Sequence, residues 1–420
     1  MNNKFLKLHK NNNTEIAKCR TTDAALTVTE NGKPLANCEV EISQIRHKFL
    51  FGTNGFKIVE LANNELGGIK KENIERLGSM LGDVFNFTTL PFYWGRFEPK
   101  KGEPDTERIL NAARWFHKKG FKIKGHPLCW HTVCADWLME MSNAEILKTQ
   151  LKRIRREVND FKEVIEMWDV VNEAVIMPIF DKYDNGITRI CKELGRIQTI
   201  RKTFEAARET NPNAKLVLND FDLSESYEIL IEGCLESGIK IDVLGLQTHM
   251  HQGFLGVEKV MEILERYSRF ELPLHFTEVT LVSGDLMPSH IVDLNDYQVK
   301  DWPSTPEGET RQAEETVLFY KTLFASPKVE GITWWDPNDD CWLNAPAGLM
   351  YADSSPKPAY KELKKLITGE WWVKPSKLKT DSQGKVFFNG FLGDYKLSAK
   401  GKITEFSLDT SGGFNLNINI

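Results

Sequence analysis

The chain has 420 residues, 41% hydrophobic and 27% charged, with a net charge of −5. That is enough apolar material for a large core, and the absence of a basic block argues against nucleic acid as a partner. No run approaches the ~20 apolar residues of a membrane span, so no membrane partner is expected. MNNKFLKLHKNNNTEI at the start lacks the apolar stretch of a signal peptide. The expectation is a cytoplasmic protein, or a secreted one whose signal peptide has been removed. The seven cysteines (Cys19, Cys38, Cys129, Cys134, Cys191, Cys234 and Cys341) are odd in number and scattered. They show neither a CxxC pair nor zinc-type spacing, which fits reduced thiols.

In chain order, TDAALTVTE and ANCEVEISQI alternate apolar and polar residues about an NGK turn, and so predict a β-hairpin. This N-terminal segment, 1–48, is expected as a short β-layer packed on the main domain. From 49 to 370 short apolar runs alternate with long, charged, helix-period stretches. The runs are FLFGTNGF (49–56), VFNFTTLPF (84–92), FKIKGHPLCW (121–130), VIEMWDVVNEA (164–174), AKLVLNDF (214–221), IDVLGLQTH (241–249), LPLHFTEV (272–279) and VEGITWWDP (329–337). Eight such units predict an α/β fold, the (β/α)8 or TIM barrel. A doubly wound open sheet is the rival, but no glycine-rich phosphate loop follows the first strand. PKPAYKELKKLITGE predicts a closing helix. Residues 371–420 are strand-rich, with turns at DSQG, NGFLGD and SGG, and predict a small C-terminal all-β domain. It is too small to be very stable alone and should lean on the barrel. Trp371 and Trp372 at its start read as junction packing.

Barrels of this kind do their chemistry at the C-terminal ends of the strands. Those ends read Thr88-Thr89, His126 with Trp130-His131, Asn172-Glu173, Asn219-Asp220, Gln247-Thr248-His249, Glu278 and Trp334-Trp335-Asp336. A lone strand-end glutamate is most often structural, but seven convergent polar ends are hard to reconcile with chance. Glu173 closes the apolar run WDVV, where burial raises a carboxyl pKa and suits it to general-acid work. Glu278 closes LPLHFT, with polar help expected from His275, Thr277, Gln247 and His249; a carboxylate held ionised by hydrogen bonds suits a nucleophile. Strands 4 and 7 face each other across an eight-stranded barrel. A carboxyl separation of about 5–5.5 Å would mean retention, and about 6.5–9.5 Å inversion; sequence spacing does not choose. Asn172 is placed to bond a sugar 2-hydroxyl, or else is a turn residue.

GHPLCWH, WDVVNEA, LVLNDF, IDVLGLQTH and LPLHFTE, in this order, resemble the signature segments of glycoside hydrolase family 10, the endo-β-1,4-xylanase family. The resemblance runs from about residue 40 to 370. It implies retaining hydrolysis of β-linked xylan or xylo-oligosaccharides, with Glu173 as acid/base and Glu278 as nucleophile. It further implies that His126 and Asn172 contact the −1 sugar, that Gln247 and His249 support the nucleophile, and that Trp335 and Trp342 form an aromatic wall. Trp130 joins the substrate-binding set. No cofactor and no metal are implied.

The sequence also departs from the family. Where a Glu-Asn pair followed by Lys-Trp is expected, it has Thr89-Leu90 and then Tyr93-Trp94; Glu98-Pro99 and Gly102 fit. Val133 replaces an expected Gln, and WWDPNDDCWLNAPAGL lacks an expected Gly and Arg. A buried hydrogen-bonding clamp discriminates strongly between substrates. Leu90, Phe92 and Tyr93 in its place predict an aromatic, less polar sugar-binding side. The alternative substrate is therefore a different or substituted sugar, or an aryl glycoside. An alternative of another class is a non-catalytic carbohydrate-binding barrel. A metal-dependent hydrolase using His126, His131, His249, His275 and Asp220 is a third reading, without an HExxH motif to support it. The partner expected is an oligo- or polysaccharide; the sequence is silent on oligomeric state.

Overall fold

The computed structural model describes residues 3–339 and 341–420, with side chains from residue 12 onward. The eight apolar runs become eight parallel strands: Leu50–Asn54, Phe87–Pro91, Lys122–His126, Met167–Asn172, Lys215–Asp220, Val243–Met250, Leu274–Leu281 and Val329–Trp334. Each pairs with its neighbours and the eighth returns to the first, closing a barrel. The expected (β/α)8 architecture is therefore the observed one.

The surrounding helices follow from local sequence. Asn143–Asp160 is an example: Ser142 and Glu145 form a reciprocal capping box at its start. Its buried face carries Ile146, Gln150, Arg153, Ile154, Glu157 and Val158, spaced at the helical repeat. From that face Gln150 donates to the Leu128 carbonyl at 2.9 Å, and Arg153 donates to the carbonyls of Leu128 and Phe92. The helix thus pins the segments that leave the second and third strands, both of which carry site residues.

The two terminal segments, read apart in the sequence, share one core. The predicted hairpin is not formed beyond two residue pairs, Thr29 with Pro34 and Glu30 with Lys33. Instead Thr21–Glu30 lies between Lys385–Phe391, antiparallel, and Phe414–Asn419, parallel. Glu39–His47 joins a second sheet with Ser376–Lys379, Gly393–Ala399 and Lys402–Leu408. The inner faces meet through Leu26, Val28, Ile42, Val386, Leu397 and Leu408. The reason is pairing: the C-terminal segment supplies strands to both layers, but Thr21–Glu30 is the strand between two of them and Glu39–His47 the strand between two others, so neither segment completes a sheet without the other. An N-terminal helix, Asn3–Arg20, was not foreseen.

This sandwich sits at the floor of the barrel. Arg20 donates to the carbonyls of Phe324, Ser326 and Val329, where the eighth strand begins. Trp371 stacks on Phe324 at 4.3 Å, and Trp372 packs on His47 at 5.2 Å, so the tryptophan pair packs a junction. Leu26→Ala should therefore lower the unfolding free energy by about 2–5 kcal/mol in urea titration, since Leu26 is fully buried. Both terminal segments should become protease-sensitive together; cleavage confined to the N-terminal one would contradict a shared core.

Candidate active site

The mouth of the barrel is built from strand ends, as the sequence reading expected. Glu173 follows the last residue of the fourth strand, with φ of +58°. A left-handed glutamate costs about 1–3 kcal/mol and persists only where its surroundings insist on it. Here they do: its N–H donates to the Asn219 carbonyl at 2.8 Å, and the next turn is held by Val175 N–H on the Asp220 carboxylate at 3.0 Å. One carboxylate oxygen receives the Trp130 indole N–H at 2.8 Å. The other receives the amides of Asn172 at 3.1 Å and Gln247 at 3.4 Å.

Glu278, in the seventh strand, is buried. Asn219 donates to its Oε1 at 2.9 Å, and His249 Nε2 lies 3.1 Å from its Oε2. Asn219 also donates to the Asn172 carbonyl oxygen at 2.7 Å, which Gln247 meets at 3.1 Å. Thr277 Oγ1 donates to Asn219 Oδ1 at 2.6 Å and fixes the amide's orientation. A continuous chain of amides therefore joins the two glutamates. Gly245 makes room for it: a Cβ there would stand 2.3 Å from Asn219 Oδ1.

The two carboxyls are driven apart electrostatically. Burial pushes Glu173 up to about 8; the Trp130 N–H opposes the shift, and the charges of Glu278 and Asp220 add to it. Burial acts on Glu278 in the same sense, but the His249 hydrogen bond and the fields of His126, His249 and Lys124 outweigh it. The result lies below the ordinary glutamate range. An ionised Glu278 only accepts, so His249 Nε2 is the donor. Its Nδ1 is buried and has no hydrogen-bond partner among the described residues.

Beneath the mouth, Lys124 and Asp169 form an ion pair at 2.6 Å, both fully buried. Asp169 also holds His126 Nδ1 at 2.7 Å. Since a carboxylate only accepts, Nδ1 carries the proton and Nε2 is left free on the other side of the ring. Aromatic rings wall the site. Tyr93 packs on His126 and Trp130, both at 5.6 Å. Trp335 packs on His126 at 5.2 Å and on His249 at 6.2 Å. Trp342 covers His249 at 4.6 Å and donates to Asn295 Oδ1 at 3.1 Å, tying the loops after strands 7 and 8 together.

All ten residues expected at the site are thus linked by contacts at one mouth. Three expectations change. Gln247 bonds Asn172 and Glu173, not Glu278. His275 lies against Phe87 and Gly331 in the barrel wall and gives Glu278 no hydrogen bond. Leu90 and Phe92 point into the helix layer, Phe92 against Phe97, Phe161 and Trp168, so only Tyr93 of that trio faces the site. Glu98 is bound by Trp94, the Gly102 N–H and Arg156, a structural brace. Asn219 and Asp220 stand among the expected strand ends, Asp220 only as a ligand in the metal reading, and His251 carries no expectation. Asn219 proves to be the central donor, and Asp220 braces the turn after Glu173. His251 packs under Trp342 at 5.2 Å with its Nδ1 3.3 Å from Thr280 Oγ1.

The family model for glycosyl hydrolase family 10 matches residues 72–366. The endo-1,4-beta-xylanase/feruloyl esterase of Xylanibacter ruminicola is 28% identical over 293 residues, covering 62% of this chain but only 39% of that protein. Endo-1,4-beta-xylanase B of Thermotoga neapolitana is 25% identical over 293 residues, covering 65% of this chain and 78% of its own length. Xylanase 10B from Thermotoga petrophila RKU-1, solved in complex with xylobiose, matches with a TM-score of 0.62 at 21% identity. That match spans 77% of this chain and 95% of the other, and speaks to the fold. A family match over most of the chain, on a barrel that brings the glutamate after its fourth strand and the one in its seventh to one mouth, leads to a single conclusion: the chain belongs to glycosyl hydrolase family 10, as an endo-1,4-β-xylanase-like hydrolase.

Proposed function

We propose that this protein cleaves β-1,4-linked xylan or xylo-oligosaccharides by double displacement, with Glu278 as nucleophile and Glu173 as acid/base. The observation that carries the reading is the placing of two glutamates by the fourth and seventh strands, joined by one amide chain, in surroundings that push one carboxyl pKa up and the other down. Ionised Glu278 attacks the anomeric carbon while Glu173 gives its proton to the departing glycosidic oxygen. A glycosyl ester then occupies Glu278, whose charge is gone. Part of what held the Glu173 proton disappears with that charge, so Glu173, having given its proton away, stays ionised and is free to take one from the incoming water. Water attacks the anomeric carbon, Glu173 takes its proton, and Glu278 is released with the configuration retained. His126, Asn172, Tyr93, Trp130, Trp335 and Trp342 are the side chains that would meet the sugar.

Glu173→Ala and Glu278→Ala should each lower turnover of xylan by at least about 10²–10⁴-fold. Azide should restore activity to the first on an activated aryl glycoside, and NMR of the first product should show the retained anomer. Full activity in either variant, or an inverted product, would sink the assignment.

The basic limb of the kcat/KM profile should fall near pH 8, where Glu173 loses its proton. Trp130→Phe removes a hydrogen bond that favours the carboxylate, so the limb should move to higher pH. A shift to lower pH would contradict Glu173 as the acid.

One observation favours a substrate other than plain xylan. Tyr93 occupies the mouth where the family places a lysine, and Thr89 is buried with its hydroxyl unpartnered among the described residues. A site with fewer polar groups there has less with which to hold unsubstituted sugar hydroxyls. Activity on linear xylan should be modest, and a screen of β-linked substrates should find a better one among substituted, different or aryl glycosides. Ordinary high activity on linear xylan alone would refute this.

A further inference from the structure

The terminal sandwich has two outer faces of unlike chemistry. One carries charges: Lys377 pairs with Glu39 at 2.8 Å, and Lys396 stands opposite Glu405 in the strand register. That is an ordinary solvated face. The other carries almost none. Its edge strand reads Phe414–Asn419, and its outward positions are Asn415, Asn417 and Asn419, all exposed. Asparagine is depleted in strands, so three at alternate positions of one strand run against local preference. Such departures are expected at functional or strained positions.

Register places an aromatic ring among these amides. Ala25 pairs with Phe387 on one side and Asn415 on the other; Thr27 pairs with Lys385 and Asn417. Paired residues share a face, so small Ala25 and Thr27 form the floor of a shallow trough between taller flanks. Phe387 is 65% exposed, although Val386 beside it is buried in the core. At one end Asn389 donates to Asp23 at 2.9 Å, and at the other Thr29 donates to Asn419 at 3.2 Å. The trough runs about 20 Å along the central strand.

We propose that this face is a second, non-catalytic site that binds a neutral polysaccharide chain, with Phe387 stacking on a sugar ring and Asn415 and Asn417 bonding its hydroxyls. Amides offer donors and acceptors side by side, as sugar hydroxyls do. A lone aromatic ring among amides fits a pyranose, which has a flat apolar face and a polar rim. The nearest charges, Asp23 and Lys385, are opposite in sign and favour no ion. A protein partner would call for a contiguous apolar patch, and Phe387 stands alone. The face lies on the sandwich at the barrel floor, away from the mouth where the strands end. A chain bound here would anchor the enzyme to its polymer and not occupy the catalytic centre. Only the choice of xylan as first probe rests on the function proposed above.

The test uses the full chain carrying Glu278→Gln, which prevents turnover, and measures its retention by insoluble xylan, cellulose and mannan. Phe387→Ala in that background should lower retention on at least one of these about tenfold. Asn417→Ala should lower it less, and unchanged thermal unfolding should show that the sandwich is intact. Ile403→Ala removes an equally exposed apolar side chain from the other sheet and should leave retention unaltered. Retention unaffected by Phe387→Ala, an equal loss with Ile403→Ala, or no retention on any of the three polymers would overturn the proposal. Release of reducing sugar from soluble xylan by the unmodified chain reads the catalytic assignment separately.

Discussion

Glu173 and Glu278 are two like groups in one buried mouth, and the side chains around them push their carboxyl pKa values in opposite directions. Burial alone would raise both. The asymmetry comes from partners: Glu278 has a histidine and an asparagine and lies in the field of Lys124, whereas Glu173 has neutral donors and looks onto the charge of Glu278 itself. The amide chain through Asn219, Asn172 and Gln247 does more than fill space. Each amide can point only one way once Thr277 and the carboxylates have chosen its ends, so the orientation of the pair is set before substrate arrives.

That orientation rests in turn on charge buried below it. Lys124 and Asp169 are shut inside the barrel, and a buried ion pair is seldom there for stability, since desolvation offsets most of its attraction. This one has two effects on the mouth. Its lysine helps hold Glu278 ionised, and its aspartate fixes the His126 ring with one nitrogen downward and the other free. The desolvation of two charges deep in the barrel is thus coupled to the readiness of groups at its rim.

Where the sequence could be read, it was through periodicity and desolvation. Each of the eight apolar runs became a strand, and polar residues at their ends came together because all parallel strands finish at one rim. Failures arose where a single chain segment does not contain the information. Gln247 is in register with Glu278 yet serves Glu173, because the ladder shifts between Phe276 and Glu278 and again between Asp169 and Val171. Such irregularities re-aim side chains, and counting by twos cannot see them. Leu90 and Phe92 were grouped with Tyr93 as neighbours, although alternation turns them toward the helices. The N-terminal hairpin was inferred from a local turn, but the strand's true partners lie more than 350 residues away.

The division of labour between the two ends of the barrel follows from that geometry. The C-terminal rim must hold strain, as at Glu173, and buried polar groups, as at Asp336, whose carboxyl is pushed up to about 7 by burial. Both work against stability. The opposite rim has no such duty, and it is there that Arg20 caps three carbonyls while its guanidinium lies over Phe49 and Phe324 at 4.7 and 5.1 Å. There too the aromatic stack of Phe51, Phe324 and Trp371 seals the sandwich to the barrel. Cohesion added at the floor lies away from the reacting groups, so it does not disturb their protonation. A barrel that keeps chemistry at one end can therefore gather the strands of residues 21–47 and 376–419 into a stabilising sandwich at the other.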